Sequence, residues 1–250
     1  MYHEAPAPER LSGAVSCLWW SDDGPKRIVP DGCLDLIVGD GKVFVAGPDT
    51  HAWESSPAMS ALYGIRFRPG HAPRVLGIAA DELCDQRVEL PDLWGRHGVV
   101  AAERLLTDPA KLTEVVGENL RELSDPAVAE LLARLEVGVP RVSSAIRDLA
   151  VSERQVRRRF TVAVGYGPAT YLRVARLQRA ITRASSAGTL ASLAAEAGYA
   201  DQAHLSRDCR ELTGTTPGEF FRKTPVTAAG PARSGKPAPQ PARDREDRAC

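Results

Sequence analysis

Short apolar runs separated by turn-forming residues occupy the chain from about residue 10 to 95. They include 33–38, 43–46 and 61–67, and Gly39-Asp40-Gly41 lies between two of them. Runs of this length, with turn formers about every ten residues, are typical of antiparallel strands and hairpins. The pattern predicts a mainly β domain over residues 1–110, a small barrel or sandwich with short helices.

The apolar spacing changes to that of helices at about residue 126. The first helical positions are Ala127, Val128, Leu131, Leu132 and Leu135. Helical spacing continues to about residue 224, so 126–224 is predicted to be an all-α domain after a linker at 111–125. The segment 225–250 is rich in Pro, Ala, Gly and charge without an aromatic residue, so a disordered tail is expected. The expected fold class is therefore α+β, with two domains.

An internal repeat of 49 residues runs through the helical region. Paired positions share a role as cap, core residue, surface cation, helix terminator or helix restart. The pairs are Ala145/Ala194, Ser152/Asp201, Val156/Leu205, Arg158/Arg207, Phe160/Cys209, Gly165/Gly214, Pro168/Pro217, Tyr171/Phe220 and Arg173/Arg222. Such a pattern indicates two copies of one supersecondary unit.

Each copy is predicted to be a helix-turn-helix, a unit whose second helix enters the major groove of DNA. In the first copy the apolar face runs to Leu149, the turn is expected at Ala150-Val151, and Ser152 caps the second helix. The second helices expose polar groups suited to DNA, because arginine can grip phosphates and guanine edges. These groups are Arg154, Gln155, Arg157 and Arg158 in the first copy, and Gln202, His204 and Arg207 in the second.

Charge is unevenly distributed, although the total is zero. Residues 1–110 contain 10 Lys and Arg against 16 Asp and Glu, whereas residues 141–183 contain 10 against 2. A basic segment attached to an acidic domain is typical of nucleic-acid-binding proteins. The alternative is a set of ordinary helix hairpins with a solvated, arginine-rich surface.

The helical region resembles the AraC/XylS family of bacterial transcription regulators. The matching segments are VSERQVRRRF (151–160), GYGPATYLRVARLQRA (165–180), LAAEAGYADQAHLSRDCRE (193–211) and TGTTPGEFFRK (213–223). The resemblance implies a double helix-turn-helix DNA-binding domain over 126–224, joined by a linker helix at about 169–184. It adds Ala203 to the DNA-contacting residues above. The chain departs from the family at Ala150, where glycine is usual, and at Leu205 and Cys209, where phenylalanines are usual.

The N-terminal region more weakly resembles a cupin-like sensor domain found ahead of such DNA-binding units. The matching segments are VPDGCLDLIV (29–38), VFVAGPDT (43–50) and YGIRFRPGHAPRVLG (63–77), and the resemblance supplies no ligand. Candidate ligand-binding residues are Trp19, Asp31, Arg66 and Arg68. The two arginines would share one strand face by the two-residue period and could bind an anion. A core tryptophan, an Asp-Gly turn and surface ion pairs remain the alternatives.

The cysteines and histidines suggest neither catalysis nor a metal. The five cysteines form no C-x-x-C pair, and the histidines before residue 110 are widely spaced. We therefore predict no catalytic residue, no metal and no cofactor, and a protein that is not an enzyme. A signal pattern and an apolar run of about 18 residues are both missing, so a cytoplasmic protein with no membrane contact is expected.

The sequence therefore predicts a sequence-specific DNA-binding transcription regulator. Its partners would be double-stranded promoter or operator DNA, a small-molecule effector at the N-terminal domain, and a second copy in a homodimer. One alternative is a DNA-repair or metal-dependent enzyme with an appended DNA-binding domain, which would need an activated cysteine or a zinc-cysteine cluster. Another is a protein-interaction module, whose binding would depend little on salt.

Overall fold

A computed structural model describes residues 1–223 apart from 57, 58, 123 and 124, and the predicted disordered tail at 225–250 lies outside the described residues. The described strands are β1 (Tyr2–Pro6), β2 (Val15–Ser21), β3 (Arg27–Ile28), β4 (Asp35–Gly39), β5 (Lys42–Ala46), β6 (Trp53–Glu54), β7 (Leu62–Phe67) and β8 (Arg87–Glu89). The described helices are α1 (Pro73–Leu76), α2 (Leu90–Thr107), α3 (Leu112–Asn119), α4 (Pro126–Val137), α5 (Val142–Ile146), α6 (Glu153–Val164), α7 (Pro168–Arg183), α8 (Leu190–Ala197), α9 (Gln202–Thr213) and α10 (Pro217–Lys223). The predicted α+β class is confirmed.

The strands form an antiparallel sheet in the order β1-β2-β7-β4-β5-β8, and β3 pairs with β6 in a separate ribbon. The predicted hairpin is present, because Gly39 pairs with Lys42 across the β4–β5 turn. Asp40 and Gly41 at its tip have φ of 51° and 70°. Two successive residues with positive φ give a turn whose twist matches that of the strands.

The two faces of the sheet have different neighbours. Leu36, Val45 and Ile65 point to a fully buried core shared with α2 and α3. Trp19 and Ile37 point to the opposite face, in a smaller apolar cluster that lines a cavity. The sheet is therefore covered on one face by its own helices and is available for a site on the other.

The segment expected to be a linker, 111–125, contains a packed helix. In α3 the side chains of Leu112, Val115 and Val116 are buried in the core of the sheet. Burial of three apolar side chains makes α3 part of the β domain, and the connection to the helical domain begins after it.

The helical region reproduces the 49-residue repeat in three dimensions. α6 and α9 have bounds that differ by 49 residues at both ends. They end at Gly165 and Gly214, which have φ of 104° and 72°, and the next helix restarts at Pro168 or Pro217 in each copy. A left-handed glycine ends a helix without the cost of a Cβ, and proline is favoured in the first turn of the next.

Helix α7, which fits the predicted linker helix, joins the two copies through its arginines. Arg176 Nη2 donates to the Pro140 carbonyl at 2.7 Å. Arg179 Nε donates to the Ala197 carbonyl at 3.1 Å, and its Nη1 donates to the Glu136 carbonyl at 3.2 Å. Cations at helix C-termini satisfy carbonyls that lack an intrahelical partner. Part of the basic charge in 141–183 is therefore structural.

The β domain contacts the two copies at equivalent positions. The backbone N–H of Ala52 donates to the Leu212 carbonyl at 2.7 Å, and Arg27 Nη2 donates to the Thr213 carbonyl at 2.6 Å. In the other copy, Gly165 lies directly against Pro48. The β domain therefore touches the C-terminal ends of both α6 and α9.

Gly165→Ala is expected to lower the free energy of unfolding more than Gly214→Ala does. Both substitutions place a Cβ at positive φ, which costs about 1–2 kcal/mol. At Gly165 the new Cβ would also overlap Cγ of Pro48, whereas nothing described lies within 4 Å of it at Gly214. Urea denaturation of the full chain measures both losses. Equal losses would show that this contact does not matter to stability.

Candidate nucleic-acid interface and interdomain cavity

The first helix of the first copy is shorter than its apolar spacing predicts. α5 ends at Ile146, and Asp148 then adopts φ of 64°, so Leu149 lies in the turn. In the second copy, α8 continues to Ala197 and ends at Gly198 with φ of 86°. The first copy has no glycine here, and aspartate is one of the few other residues that tolerate this conformation. The turn therefore begins at residue 147 and is longer than the predicted Ala150-Val151.

Helix α6 begins with the predicted capping box. The Ser152 hydroxyl accepts from the Gln155 N–H, and Gln155 Oε1 accepts from the Ser152 N–H at 3.2 Å. Val156 and Phe160 are fully buried. The side-chain oxygen of Gln155, a residue predicted to contact DNA, therefore also caps the start of α6.

The arginines of α6 lie on the face opposite its core. Arg154 and Arg158 are exposed and have no ion-pair partner among the described residues. Arg157 pairs with Glu153 at 2.7 Å, and its side chain is 40% exposed. Exposed pairs of this kind contribute about 0–1 kcal/mol, so a phosphate can compete for the guanidinium.

Helix α9 exposes Gln202, Ala203 and Arg207. His204 differs, because its ring packs edge-on against Tyr199 with centroids 5.1 Å apart and its Nδ1 accepts from the Ala200 N–H at 3.5 Å. The side chain of His204 is 28% exposed. The His204 side chain, which is predicted to contact DNA, therefore also packs against the turn of the second motif.

The second motif is fastened to α7 by a buried carboxylate that sequence reasoning missed. Asp208 is 5% exposed and accepts from Arg173 Nε at 2.9 Å. Leu205 and Cys209, the small core residues beside it, are both fully buried. In the repeat, Arg173 corresponds to Arg222, which is exposed, so the sequence pattern gave no sign that Arg173 would pair with Asp208.

A cavity of about 370 Å³ lies between the sheet and the helical domain. Three predicted ligand-binding residues, Trp19, Asp31 and Arg66, lie together in its wall, and Gln178, Ile181 and Phe220 close it from the helical domain. Arg68 does not belong to it. β7 ends at Phe67, and Arg68 instead donates from Nε to the Ser12 carbonyl at 2.7 Å. Side chains alternate between the two faces only within the strand, so the prediction that Arg68 shares a face with Arg66 does not hold beyond Phe67.

Arg66 is surrounded by carboxylates. Its Nε lies 3.2 Å from Asp35 Oδ1, and its Nη1 lies 3.5 Å from Asp31 Oδ2 and 3.9 Å from Glu4 Oε1. Asp35 and Arg66 are direct cross-strand partners, and Trp19 Nε1 donates to Asp35 Oδ1 at 2.6 Å. Burial raises the pKa of Asp35; Arg66 opposes this shift and Asp31 adds to it.

Within the described residues, no group of three or more His, Cys, Asp or Glu is arranged to hold a metal ion. None of the helices described has both the length and the apolar character needed to cross a membrane.

Comparisons with known proteins find matches to two separate stretches of the chain. A family described as a helix-turn-helix domain matches residues 146–223, and a domain of unknown function, DUF6597, matches residues 3–89. A Streptomyces lividans protein, named provisionally as an AraC-like transcription regulator, is 36% identical over 112 residues. The C-terminal domain is an AraC-type helix-turn-helix domain. The match covers 43% of this chain and 36% of that protein, so the chain spans about a third of that relative's length.

Similar solved structures include ToxT from Vibrio cholerae O395, with a TM-score of 0.44 and 8% identity over 82% of this chain and 95% of ToxT. Unsaturated fatty acid bound wild-type ToxT from Vibrio cholerae strain SCE256 has a TM-score of 0.42 and 10% identity, over 84% of this chain and 90% of that one. At TM-scores below 0.5 these likenesses do not establish a common overall structure.

His204→Ala is expected to lower the free energy of unfolding by about 1–2 kcal/mol, because it removes a hydrogen bond and an aromatic contact. Gln202→Ala, on the exposed side of the same AraC-type motif, is the matched control and should change stability by less than about 0.5 kcal/mol. Urea denaturation distinguishes the two variants. If His204→Ala did not change the free energy of unfolding, His204 would have no structural role.

Proposed function

We propose that the protein is a sequence-specific DNA-binding transcription regulator with no enzymatic step. The observation that carries the proposal is the pair of second helices, α6 and α9, in two copies of one unit. Each buries one face in the helical core and exposes arginine and glutamine on the other. The β domain contacts only their C-terminal ends in the hydrogen bonds and close approach described above, so it leaves these polar faces uncovered.

The proposed DNA-contacting residues divide between the two motifs. Those of the first are Arg154, Gln155, Arg157 and Arg158, and those of the second are Gln202, Ala203, His204 and Arg207. Phosphate contacts would supply affinity and base contacts would supply specificity. The first motif also exposes Arg141, Arg147 and Arg159, so we assign it the larger electrostatic share. Binding to a bacterial chromosome would place the protein in the cytoplasm.

We further propose that residues 1–119 form a sensor domain and 126–223 the DNA-binding domain. Support for the first boundary is the burial of α3 against the sheet. Support for a sensor role is the cavity, which is closed by α7 and α10 of the DNA-binding domain. An occupant of the cavity would contact both domains at once.

The surroundings of the described thiols do not favour the DNA-repair form of the enzyme alternative. An alkyl-accepting cysteine must react as a thiolate, in surroundings that lower its pKa. Here burial raises the pKa of Cys17 to about 12 and that of Cys84 to about 11. Burial also raises the pKa of Cys33 and Cys209. These four thiols are protonated near neutral pH.

The test of the proposal begins with genome-wide DNA-binding mapping of the tagged full chain. Recovered fragments that share a sequence motif would support sequence-specific binding and would supply an operator for titration. Recovery of random fragments would contradict it.

Arg158→Ala is expected to weaken operator binding by about 1–3 kcal/mol if the lost contact is to a base. Fluorescence anisotropy with a labelled operator measures the change. The matched control is Arg96→Ala, which removes an exposed arginine from α2 of the β domain and should leave affinity unchanged. An unchanged affinity in Arg158→Ala would place this residue outside the interface.

The affinity of the wild type for the operator is expected to fall steeply with salt, because bound arginines release counterions from DNA. If Arg154 and Arg158 each contact a phosphate, their double alanine variant should reduce the slope of log K against log salt by about 2. Anisotropy titrations at several salt concentrations measure both slopes. A wild-type slope near zero would favour the protein-interaction alternative.

A further inference from the structure

We propose that the interdomain cavity is the site of a small organic cation, an amine carried on an apolar body, with Asp31 as its carboxylate partner. The proposal concerns binding in this cavity, and its regulatory consequence rests on the proposed DNA-binding function.

The cavity has the size and the walls for such a ligand. Its volume of about 370 Å³ is at the small end of ligand sites, which run from about 300 to 1,000 Å³. Aromatic rings line it, namely those of Tyr2, Trp19, Phe44, Trp53 and Phe220. Aromatic faces attract cations, and this wall already holds one, because the Arg87 guanidinium lies 4.9 Å from the Trp53 ring centroid.

In the part of the cavity wall around Arg66, the charges favour a cation over an anion; two other cations of the lining, Arg27 and Arg87, are paired with carboxylates of their own. Three carboxylates, those of Glu4, Asp31 and Asp35, lie within 4.0 Å of the single guanidinium of Arg66. An anion would have to displace them from Arg66 and would then lie beside negative charge in a poorly solvated space. A cation would instead balance carboxylate charge that Arg66 alone leaves in excess.

Asp31 is the carboxylate best placed to receive the ligand. Asp35 is held by Trp19 and by Arg66, and Asp49 receives both Nη groups of Arg87 at 2.8 Å. Asp31 uses Oδ1 to accept from the Cys33 N–H at 2.9 Å, while its Oδ2 has only the 3.5 Å approach of Arg66. One oxygen of Asp31 therefore retains capacity for a charged donor.

Ser21 gives an independent indication of an occupant. It lines the same cavity and is 5% exposed, and its hydroxyl has no hydrogen-bond partner among the described residues. A buried hydroxyl without a partner is destabilising, so its place on a cavity wall points to a polar group of a ligand.

The ligand would act on the DNA-binding domain through the loop that holds Asp31. The Pro30 carbonyl accepts from Gln178 Nε2 of α7 at 2.7 Å. Gly32 lies against the Tyr171 ring, so closely that a Cβ there would be 2.8 Å from Cε2. Because α7 joins the two helix-turn-helix units, an occupant that fixes this loop would also fix the helix between them.

The direct test uses the full chain and three probes with the same phenylethyl body. They are the cation 2-phenylethylammonium, the anion 3-phenylpropanoate and the neutral 2-phenylethanol. Isothermal titration calorimetry and thermal shift at millimolar concentrations should show binding of the cation and at least about tenfold weaker binding of the other two. Tighter binding of the anion, or no binding of the cation, would overturn the proposal.

Variants locate the site. Asp31→Asn is expected to weaken binding of 2-phenylethylammonium at least about tenfold, because the charge partner is lost. Asp92→Asn, which removes an exposed carboxylate from α2, is the matched control and should bind as the wild type does. Ser21→Ala should weaken binding while the ligand-free protein unfolds at the same or a higher temperature, so it tests the site even if Asp31→Asn folds poorly. Equal affinity in Asp31→Asn, Ser21→Ala and Asp92→Asn would overturn the assignment.

Operator titrations with and without 2-phenylethylammonium then separate the two proposals. A changed operator affinity in the wild type, absent in Asp31→Asn, is expected. Cation binding by a protein that binds no DNA would overturn the proposed function alone. DNA binding by a protein that binds no cation would overturn this inference alone.

Discussion

The arrangement of the DNA-binding domain depends on the arginines that α7 directs at the carbonyl ends of its neighbours. Arg176 and Arg179 satisfy carbonyls at the end of α4, after it, and at the end of α8. Each motif alone has a small core, since α5 has 5 residues and α8 has 8. Because α7 hydrogen-bonds to α4 and the loop before α5 on one side and to α8 on the other, it makes the distance between α6 and α9 a property of the fold. That distance determines which two segments of a major groove can be contacted together.

The β domain also constrains the two helix-turn-helix copies, because it contacts both of them at corresponding positions of the repeat. Contacts at Gly165 in one copy and at Leu212 and Thr213 in the other lie at the C-terminal ends of α6 and α9. The polar N-terminal ends of these helices are the parts that contact base edges in helix-turn-helix proteins. One surface therefore serves the domain interface and the other remains available to DNA. A change at the domain interface would alter the angle of the helices without covering the residues proposed to contact DNA.

The sequence predicted most where one residue determines one local conformation. The caps at Ser152 and Asp201 and the prolines that restart helices placed α6, α7 and α9 to within a residue or two. It failed where a local feature leaves no signal in the pattern, and where the decisive interaction is distant. The apolar period extended α5 to Leu149, because a turn made by Asp148 without glycine has no strong signal. The two-residue period of a strand predicted that Arg68 lies on the same face as Arg66, because alternation alone does not show where a strand ends. The pairing of Asp208 with Arg173, 35 residues away, and the packing of α3 on the sheet depend on tertiary contacts.

The net charge of the chain is zero, but its charged side chains have different roles in the two domains. The excess of acid in the β domain is partly internal, since Glu4, Asp31 and Asp35 surround Arg66 in the cavity wall. The excess of base in the helical domain is partly internal too, because Arg173, Arg176 and Arg179 bind carboxylates or carbonyls. Arg154 and Arg158 of α6 are among the arginines that remain exposed at the surface, where a polyanion lowers their mutual repulsion. The two proposals thus assign ligands of opposite charge to different places: phosphates to the arginines of α6, and a cation to the cavity beside Asp31. Helix α7 packs against α6 and lines the cavity with Gln178 and Ile181, so it is the element through which occupancy of one site would affect the other.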